Sequence, residues 1–534
     1  MSDVRVRFEP EGVVVTVAQG TTLQLAAEEA GVAIDGPCGV GRCGSCRVRA
    51  SGGVSEPGPA ERGALGAVVR SGVRLACLAR ALGPGEVLVE RDARGEVRAE
   101  LGGLEAALDV EPPATRGIAE GDARPIGAAV DLGTTTIAAR LHRLDDGRVL
   151  GEAGGPNPQV AYGPDVLTRV SRALAGDADE LRRAAARGVA DIVARLLASS
   201  AAAGGALAEM TLVGNPTMTA LLLGGDLTAM GDAARGGAAT GPTITSAGAV
   251  GMNELADVPL YVPPAVSAFV GADALAGVLA TELTSRGAPT LLIDLGTNGE
   301  VVLAADGRLL AASAAAGPAF EGAGLSSGMG AEPGAIERVW LDEGLGYSTI
   351  ADEPARGLCG SGLIDLLAVL LDAGALDESG RLHMSGPLAP RMREDAEGRR
   401  VVLSGEVGLT QKDVRAAQLA KAAVQVAVEV VLSEAGLGDD DVGDVLVAGG
   451  FGSRARPTAL ATLGVIPASW VERVTFAGNT ALAGAARLLL SSAARRESER
   501  IATLTKAVPL AERSDFPARF LDALEFRKVP GNKG

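Results

Sequence analysis

An internal echo constrains the fold of this chain more than any other feature. Ala128-Ala-Val-Asp131-Leu-Gly133-Thr134-Thr135-Thr136-Ile is answered, 163 positions later, by Leu291-Leu-Ile-Asp294-Leu-Gly296-Thr297-Asn298-Gly299-Glu300. Each copy is an apolar run, an Asp-Leu-Gly-Thr turn and a second β-rich run over 137–141 or 301–304. Each then closes on a turn signal, Asp145-Asp146-Gly147 or Asp306-Gly307. Two strand–turn–strand units one domain apart predict a duplicated α/β fold. Both turns carry the same chemistry: a carboxylate at a strand end, a glycine that permits close backbone approach, then hydroxyl or amide donors. Phosphate oxygens accept from N–H and O–H groups, and a carboxylate holds hydrated Mg²⁺. Two such hairpins facing across a cleft clamp a polyphosphate. A third element, Asp444-Val-Leu-Val-Ala-Gly449-Gly450-Phe451-Gly452, reads as a buried strand entering a glycine turn, where an adenine ring lies against bare backbone.

Composition agrees with phosphate handling of this kind. The five lysines are Lys412, Lys421, Lys506, Lys528 and Lys533, so the first 411 residues contain none, and no lysine follows a glycine and precedes a hydroxyl residue. A Walker A loop is therefore excluded. The two histidines, His142 and His383, exclude a His-rich metal site and make a Ser-His-Asp triad an unlikely design. A net charge of −17 with only two tryptophans gives neither the basic surface nor the stacking platforms of a nucleic-acid binder. The start lacks the apolar core of a signal peptide, and the Leu/Ala-rich stretches are interrupted by charge or by Gly, Pro and Thr. The expectation is a cytoplasmic protein without a membrane span. In that compartment clustered cysteines read as metal ligands or redox groups before disulfides.

Cys38, Cys43, Cys46 and Cys77 are spaced C-x4-C-x2-C, then thirty residues, then C. This is the plant-type [2Fe–2S] arrangement. Gly39, Gly41 and Gly44 let the loop curl so that amide N–H groups point at sulfur, and the fourth ligand arrives on a distant segment, Arg74-Leu-Ala-Cys77. A four-cysteine zinc site prefers two C-x2-C knuckles, and this chain has one. Such a cluster works near about −400 mV and carries one electron. Gly39-Val-Gly41-Arg-Cys-Gly44 also fits GxGxxG, but it lies between cluster ligands and opens no helix. Cys359 stands alone and reads as a packed core thiol.

Residues 1–92 read as a small α+β domain: a hairpin over 3–8 and 13–18, a helix from Leu23 to Ala30 capped by Thr21-Thr22, and strands at 46–49 and 87–90. Residues 93–125, with Gly102-Gly103 and Pro112-Pro113, read as a linker. The duplicated region divides into 126–288 and 289–534. Helical stretches are expected around 164–200, 362–374, 411–435 and 480–494, with an amphipathic C-terminal tail packed on the body.

The two Asp-Gly-Thr loops and the Gly-Gly-Phe-Gly turn resemble the phosphate-1, phosphate-2 and adenosine motifs of the ASKHA superfamily of acetate and sugar kinases, heat-shock chaperones and actin. Joined to an N-terminal [2Fe–2S] domain, the chain resembles the RACo-type reductive activators of corrinoid proteins. Further segments fit that pattern, among them Asn157-Pro-Gln159, Gly214-Asn215-Pro-Thr-Met218, Gly317-Pro-Ala-Phe-Glu321, Cys359-Gly-Ser-Gly362 and Gly478-Asn479. The resemblance implies a ferredoxin-like β-grasp domain followed by a duplicated, ribonuclease H-like ASKHA domain. It implies three cofactors: a [2Fe–2S] cluster on Cys38, Cys43, Cys46 and Cys77, ATP, and Mg²⁺. Asp131 and Asp294 would bind hydrated Mg²⁺ or orient the attacking water. Gly133, Thr134, Thr135, Gly296, Thr297 and Asn298 would take phosphate, and Gly449, Gly450, Phe451 and Gly452 the adenosine. The implied activity is ATP-dependent return of Co(II) to Co(I) in the corrinoid protein of a methyltransferase system. The implied partners are that protein, an upstream low-potential electron donor and a second copy in a homodimer.

Three other readings compete. The first is an ATP-driven activator of another acceptor, such as a radical dehydratase, although those hold a [4Fe–4S] cluster between subunits. The second is an ASKHA small-molecule kinase with a redox-sensing domain, and the third a non-enzymatic ferredoxin module. Lys412 and Lys421 read as surface or subdomain-contact charges and His142 as a strand or turn residue. Glu321 and Glu337 sit in glycine-rich loops, either in the nucleotide site or as loop architecture.

Overall fold

The computed structural model describes residues 3–526 apart from 10, 33, 35–38, 42–45, 66–68, 71, 84–85, 92–124, 200–204, 229–240, 397 and 451–454. The expected linker therefore lies outside the described residues, except for its last position.

The N-terminal domain is one mixed five-stranded sheet of β1 (Asp3–Glu9), β2 (Val13–Ala18), β3 (Arg47–Ser51), β4 (Val73–Leu75) and β5 (Glu86–Arg91), in the order β2-β1-β5-β3-β4. The alternation of β1 decides its faces: Val4, Val6 and Phe8 are buried while Asp3 and Arg5 are exposed. Each such side chain contributes roughly 1.5–3 kcal/mol on burial. The expected hairpin forms, with Phe8 opposite Val13. Helix α1 (Leu23–Glu29) is capped by Thr22, whose hydroxyl accepts from the Leu25 N–H at 3.3 Å. Helix α2 (Pro59–Leu65) faces the remainder of the chain, where Arg62 Nε meets Glu472 Oε1 at 3.1 Å. Nearby, Arg70 Nη2 donates to the Glu472 carbonyl at 2.9 Å.

The first half of the body begins with an antiparallel meander, β6 (Ile126–Leu132), β7 (Thr136–Arg143) and β8 (Val149–Pro156). Helices α3 (Val166–Arg172) and α4 (Ala178–Ser199) follow, then β9 (Leu207–Gly214), α5 (Pro216–Leu223), β10 (Thr243–Ser246), β11 (Pro259–Val262) and α6 (Ala272–Ala280). The second half repeats the plan with β12 (Thr290–Leu295), β13 (Asn298–Ala305) and β14 (Arg308–Ala315). Strands β15 (Ala335–Leu341), β16 (Leu345–Thr349) and β17 (Gly357–Leu358), helix α7 (Gly360–Asp372) and strands β18 (Met392–Asp395), β19 (Gly398–Ser404) and β20 (Val407–Thr410) are inserted next. Helix α8 (Gln411–Ala435), β21 (Asp444–Ala448), α9 (Pro457–Leu463), β22 (Val474–Gly478) and α10 (Thr480–Leu490) complete it. The sheet orders are β10-β11-β9-β6-β7-β8 and β22-β21-β12-β13-β14-β23, where β23 is Thr505–Ala507. Both sheets thus place the meander beside two parallel strands, and β6 and β12 hold the same central position. The duplication expected from the echo is present as topology.

Helices α6 and α10 lie between the two sheets and share one core with Ala129, Val213, Leu292 and Leu446. Their backbones nearly touch, because a Cβ placed on Gly484 would stand 2.1 Å from the Ala276 carbonyl oxygen. Among the described residues, α8 is long and apolar enough to cross a membrane, with a hydropathy of 1.3 over its best window, but 78% of that window is buried inside the protein. It is a core helix.

Two expected helices are divided. Residues 173–177 break the first between α3 and α4, with Gly176 at φ 120°. The second splits at Ser491, whose extended backbone ends α10 and whose hydroxyl caps α11 (Ser492–Leu504). The tail packs as expected: Lys421 is fully buried, and its Nζ donates to the carbonyls of Ala523 and Glu525 at the end of α12 (Phe516–Ala523). Lys421 is therefore neither a surface charge nor a contact between subdomains: it caps a helix within the 289–534 half. Lys412 is exposed.

Candidate functional site

The two Asp-Gly-Thr turns meet. They line one cleft of about 380 Å³ together with Asp131, Asp294, Gly449 and Gly450. Gly133, Thr134, Thr135, Gly296, Thr297 and Asn298 all face it. Phe451 and Gly452 lie outside the described residues. The glycines are required by close approach. A Cβ on Gly133 would stand 2.5 Å from the Thr136 carbonyl oxygen. Gly449 has φ +124°, and a Cβ there would come within 3.0 Å of the Leu295 carbonyl and 3.4 Å of Asp294 Oδ1.

Strand register sets the carboxylates. Asp131 ends β6 opposite Ala138, and Asp294 ends β12 opposite Glu300. Asp131 Oδ2 accepts from Asn479 Nδ2 at 2.9 Å, while Asn479 Oδ1 caps α10 by accepting from the Leu482 N–H. Asn215 plays the corresponding part for the first loop: it caps α5, and its Nδ2 donates to Thr134 Oγ1 at 2.9 Å. Asn157 Nδ2 donates to the Gly133 carbonyl at 2.8 Å. Between the loops, the hydroxyls of Thr135 and Thr297 are 2.8 Å apart. Glu321 accepts from the Thr297 N–H at 2.8 Å and from its hydroxyl at 3.0 Å. Glu321 is thus in the cleft, whereas Glu337 is buried on β15 and does not line it. Cys359 is buried, as read from the sequence, but it also borders the cleft at the start of α7.

The cleft is strongly acidic. Burial, ahead of any neighbour, pushes Asp131 up to about 7, Asp273 to about 6 and Asp294 to about 8, and Asp294 is raised further by Asp273, Asp131 and Glu321. Glu300 and Glu321 are raised for the same first reason. Among the described residues, no lysine or arginine lines the cleft. Ionised carboxylates repel a polyphosphate, and a cation between them would offset that repulsion. Among the described residues, no three His, Cys, Asp or Glu side chains are arranged to hold a metal ion by themselves. The sequence reading gave no role to Asp273, Glu300, Asn215 or Asn479. The two asparagines stand in segments that fit the family pattern, and Glu300 closes the echo, but Asp273 carries no local signal.

Cys46 and Cys77 converge in the N-terminal domain, their sulfurs 3.2 Å apart, both buried and free of disulfides. The Gly41 N–H points at Cys77 Sγ at 3.1 Å, and the Cys77 N–H at Cys46 Sγ at 3.5 Å. Thiolates with amide donors are what an iron–sulfur cluster requires. Cys38 and Cys43 lie outside the described residues. Buried Glu61 fixes the Cys77 segment, since its carboxylate accepts from Arg74 at 3.0 and 2.8 Å and from the Leu75 N–H at 2.9 Å. His142 is a buried strand residue whose Nδ1 is bonded to the Gly147 carbonyl oxygen.

Comparison with known proteins follows the same division. Residues 6–82 match the 2Fe-2S iron-sulfur cluster binding domain, 126–286 the RACo middle region, and 288–531 the C-terminal domain of RACo, the ASKHA domain. The corrinoid activation enzyme RamQ of Eubacterium limosum is 30% identical over 424 residues, covering 74% of this chain and 70% of that protein. A [Co(II) methylated amine-specific corrinoid protein] reductase of Methanosarcina barkeri is 30% identical over 263 residues, 45% of this chain and 46% of that one. The solved structure of a reductive activator for corrinoid,iron-sulfur protein superposes with a TM-score of 0.73 at 28% identity, covering 98% of both chains. The chain belongs to the RACo family of corrinoid activators, a ferredoxin domain joined to an ASKHA domain.

Proposed function

We propose that the protein is an ATP-dependent reductive activator that returns the Co(II) corrinoid of a methyltransferase-system protein to Co(I). The observation that carries this reading is the pairing, in one chain, of converging thiols with two phosphate-type loops that touch across an acidic cleft. A [2Fe–2S] cluster, when bound, supplies one electron at low potential. Cys38, Cys43, Cys46 and Cys77 would hold it, with the amide groups of Gly41 and Cys77 directed at sulfur. An upstream low-potential donor would refill it.

Transfer to a corrinoid of lower potential runs uphill, so nucleotide must favour a state of the complex in which transfer proceeds. The attainable shift equals the difference in nucleotide affinity between states. Thr134, Thr135, Thr297 and Asn298 would donate to phosphate, Gly133 and Gly296 would admit it, and Gly449 and Gly450 would take the adenosine. Asp131 and Asp294 would give up their protons to face hydrated Mg²⁺, or would orient the attacking water. Asn479 holds the Asp131 carboxylate for either task. The reading extends to a homodimer as the working unit.

The test is direct. Anaerobically purified protein, a low-potential reductant, Mg·ATP and the cognate corrinoid protein are combined, and the visible spectrum is followed for conversion of Co(II) to Co(I). Conversion without ATP, or none with it, sinks the reading. Phosphorylation of a metabolite in the absence of any corrinoid protein would favour a kinase instead.

A further inference from the structure

We propose that Glu321 is an internal stand-in for a nucleotide phosphate, holding the two phosphate loops in the resting chain and swinging toward Arg169 when nucleotide arrives. The inference rests on the nucleotide reading above and adds a regulatory contact to that site. Its first support is what the carboxylate touches. One oxygen takes the Thr297 N–H at 2.8 Å and the other the Thr297 hydroxyl at 3.0 Å. That hydroxyl in turn lies 2.8 Å from the hydroxyl of Thr135, which also hydrogen-bonds Glu321. A backbone N–H and hydroxyls from facing glycine turns are the donors a phosphate oxygen requires. The same donors cannot serve Glu321 and a phosphate at once.

The second support is a place for the displaced carboxylate. Arg169, on α3, is fully buried behind the first loop, where it donates to the Gly163 carbonyl at 2.9 Å and to Gln159 Oε1 at 3.2 Å. Its Nη2 is buried and has no hydrogen-bond partner among the described residues. Its charge is the cation that Glu321 senses. A buried guanidinium nitrogen without a partner is costly unless an anion visits it.

The third support is the mounting of Glu321. It ends a single turn, Pro318–Glu321, bounded by Gly317 at φ 77° and Gly322 at φ 74°. Phe320 and Ala319 of that turn are buried in the core, so the backbone stays fixed and only the Glu321 side chain swings.

Equilibrium binding of Mg·ATP to the full-length, cluster-loaded protein tests the inference in wild type, Glu321→Ala and Glu321→Asp. The visible circular dichroism of the cluster and a thermal melt confirm that each variant is folded. Aspartate keeps the charge but is one methylene too short to reach the Thr297 donors. Losing two charge-assisted hydrogen bonds that compete with phosphate tightens Mg·ATP binding roughly tenfold or more in both variants. Arg169→Met weakens binding in wild type and has no effect on top of Glu321→Ala. Tightening in Ala but not in Asp shows relief of charge only and overturns the proposal, as does unchanged or weakened binding in both. If wild type and variants all fail to bind nucleotide, the nucleotide reading itself falls and takes this one with it.

Discussion

Asparagine at position 294 is isosteric with the native aspartate and removes one buried charge from the cleft. Burial first, then Asp273, Asp131 and Glu321, raise the Asp294 carboxyl from 3.8 to about 8. Between those values the native chain holds a proton that the unfolded chain releases, so this group's contribution to stability falls as pH rises from about 4 to about 8. At about 1.4 kcal/mol per pH unit, the cost reaches roughly 4 kcal/mol at pH 7. The variant escapes it, less the roughly 1–3 kcal/mol due if the new amide finds no acceptor. For a body of this size each kcal/mol moves the melting temperature by on the order of 1–2 °C. Scanning calorimetry of the nucleotide-free proteins should therefore show Asp294→Asn melting a few degrees above wild type at pH 8, with the gap closing toward pH 5. Mg·ATP should raise the wild-type melting temperature and leave the variant unmoved, and Co(I) formation should be lost. A variant no more stable than wild type at pH 8, or a gap independent of pH, refutes the argument that burial of the Asp294 carboxyl costs the fold stability.

The same carboxylates make nucleotide binding pH-dependent. Burial raises Asp273, Asp131 and Asp294 to about 6, 7 and 8, and the proposed cation would bind their ionised forms. Calorimetry should find Mg·ATP binding tightening from pH 6 to 8, by up to about tenfold per unit for each proton released, and a flat profile would contradict the assignment. Cys77→Ser should abolish or alter the cluster's visible absorption. Glu61→Gln should keep the spectrum but bleach faster in air, because the Cys77 segment loses its fixed carboxylate, and equal bleaching rates would deny Glu61 that role. Gly484→Ala places a methyl against the Ala276 carbonyl, where 2.1 Å is available, and should cost about 1–3 kcal/mol in a denaturant melt. An unchanged midpoint would show that α6 and α10 separate at no cost.

What the sequence disclosed and what it withheld divide along one physical line. Signals carried by adjacent residues were legible. The Asp-Leu-Gly-Thr turns, the C-x4-C-x2-C loop and the strand into Gly449-Gly450 each fix a local backbone shape whose chemistry can be read from a few positions. Their repetition gave the topology as well, because two equal hairpins must sit equally in two equal sheets. Helix ends were less legible: Ser491 turns the backbone to an extended conformation inside an otherwise helical stretch, and only packing reveals that it caps a new helix. The partners that complete the cleft were the hardest to see. Glu300 reaches it because β13 pairs in register with β12, Asp273 because α6 packs between the sheets, and Glu321 because the turn after β14 folds back over Thr297. Glu321 was read as a candidate from its glycine-rich loop and Glu300 closes the echo, but Asp273 has no neighbour in sequence that announces it. Yet the two kinds of residue depend on each other. The turns supply donors without any lysine, and no lysine or arginine is among the described residues that line the cleft. The carboxylates gathered by register add negative charge that the proposed cation would offset. On the proposed reading, an acidic cleft walled by phosphate-type donors would favour the metal–nucleotide complex over either component alone.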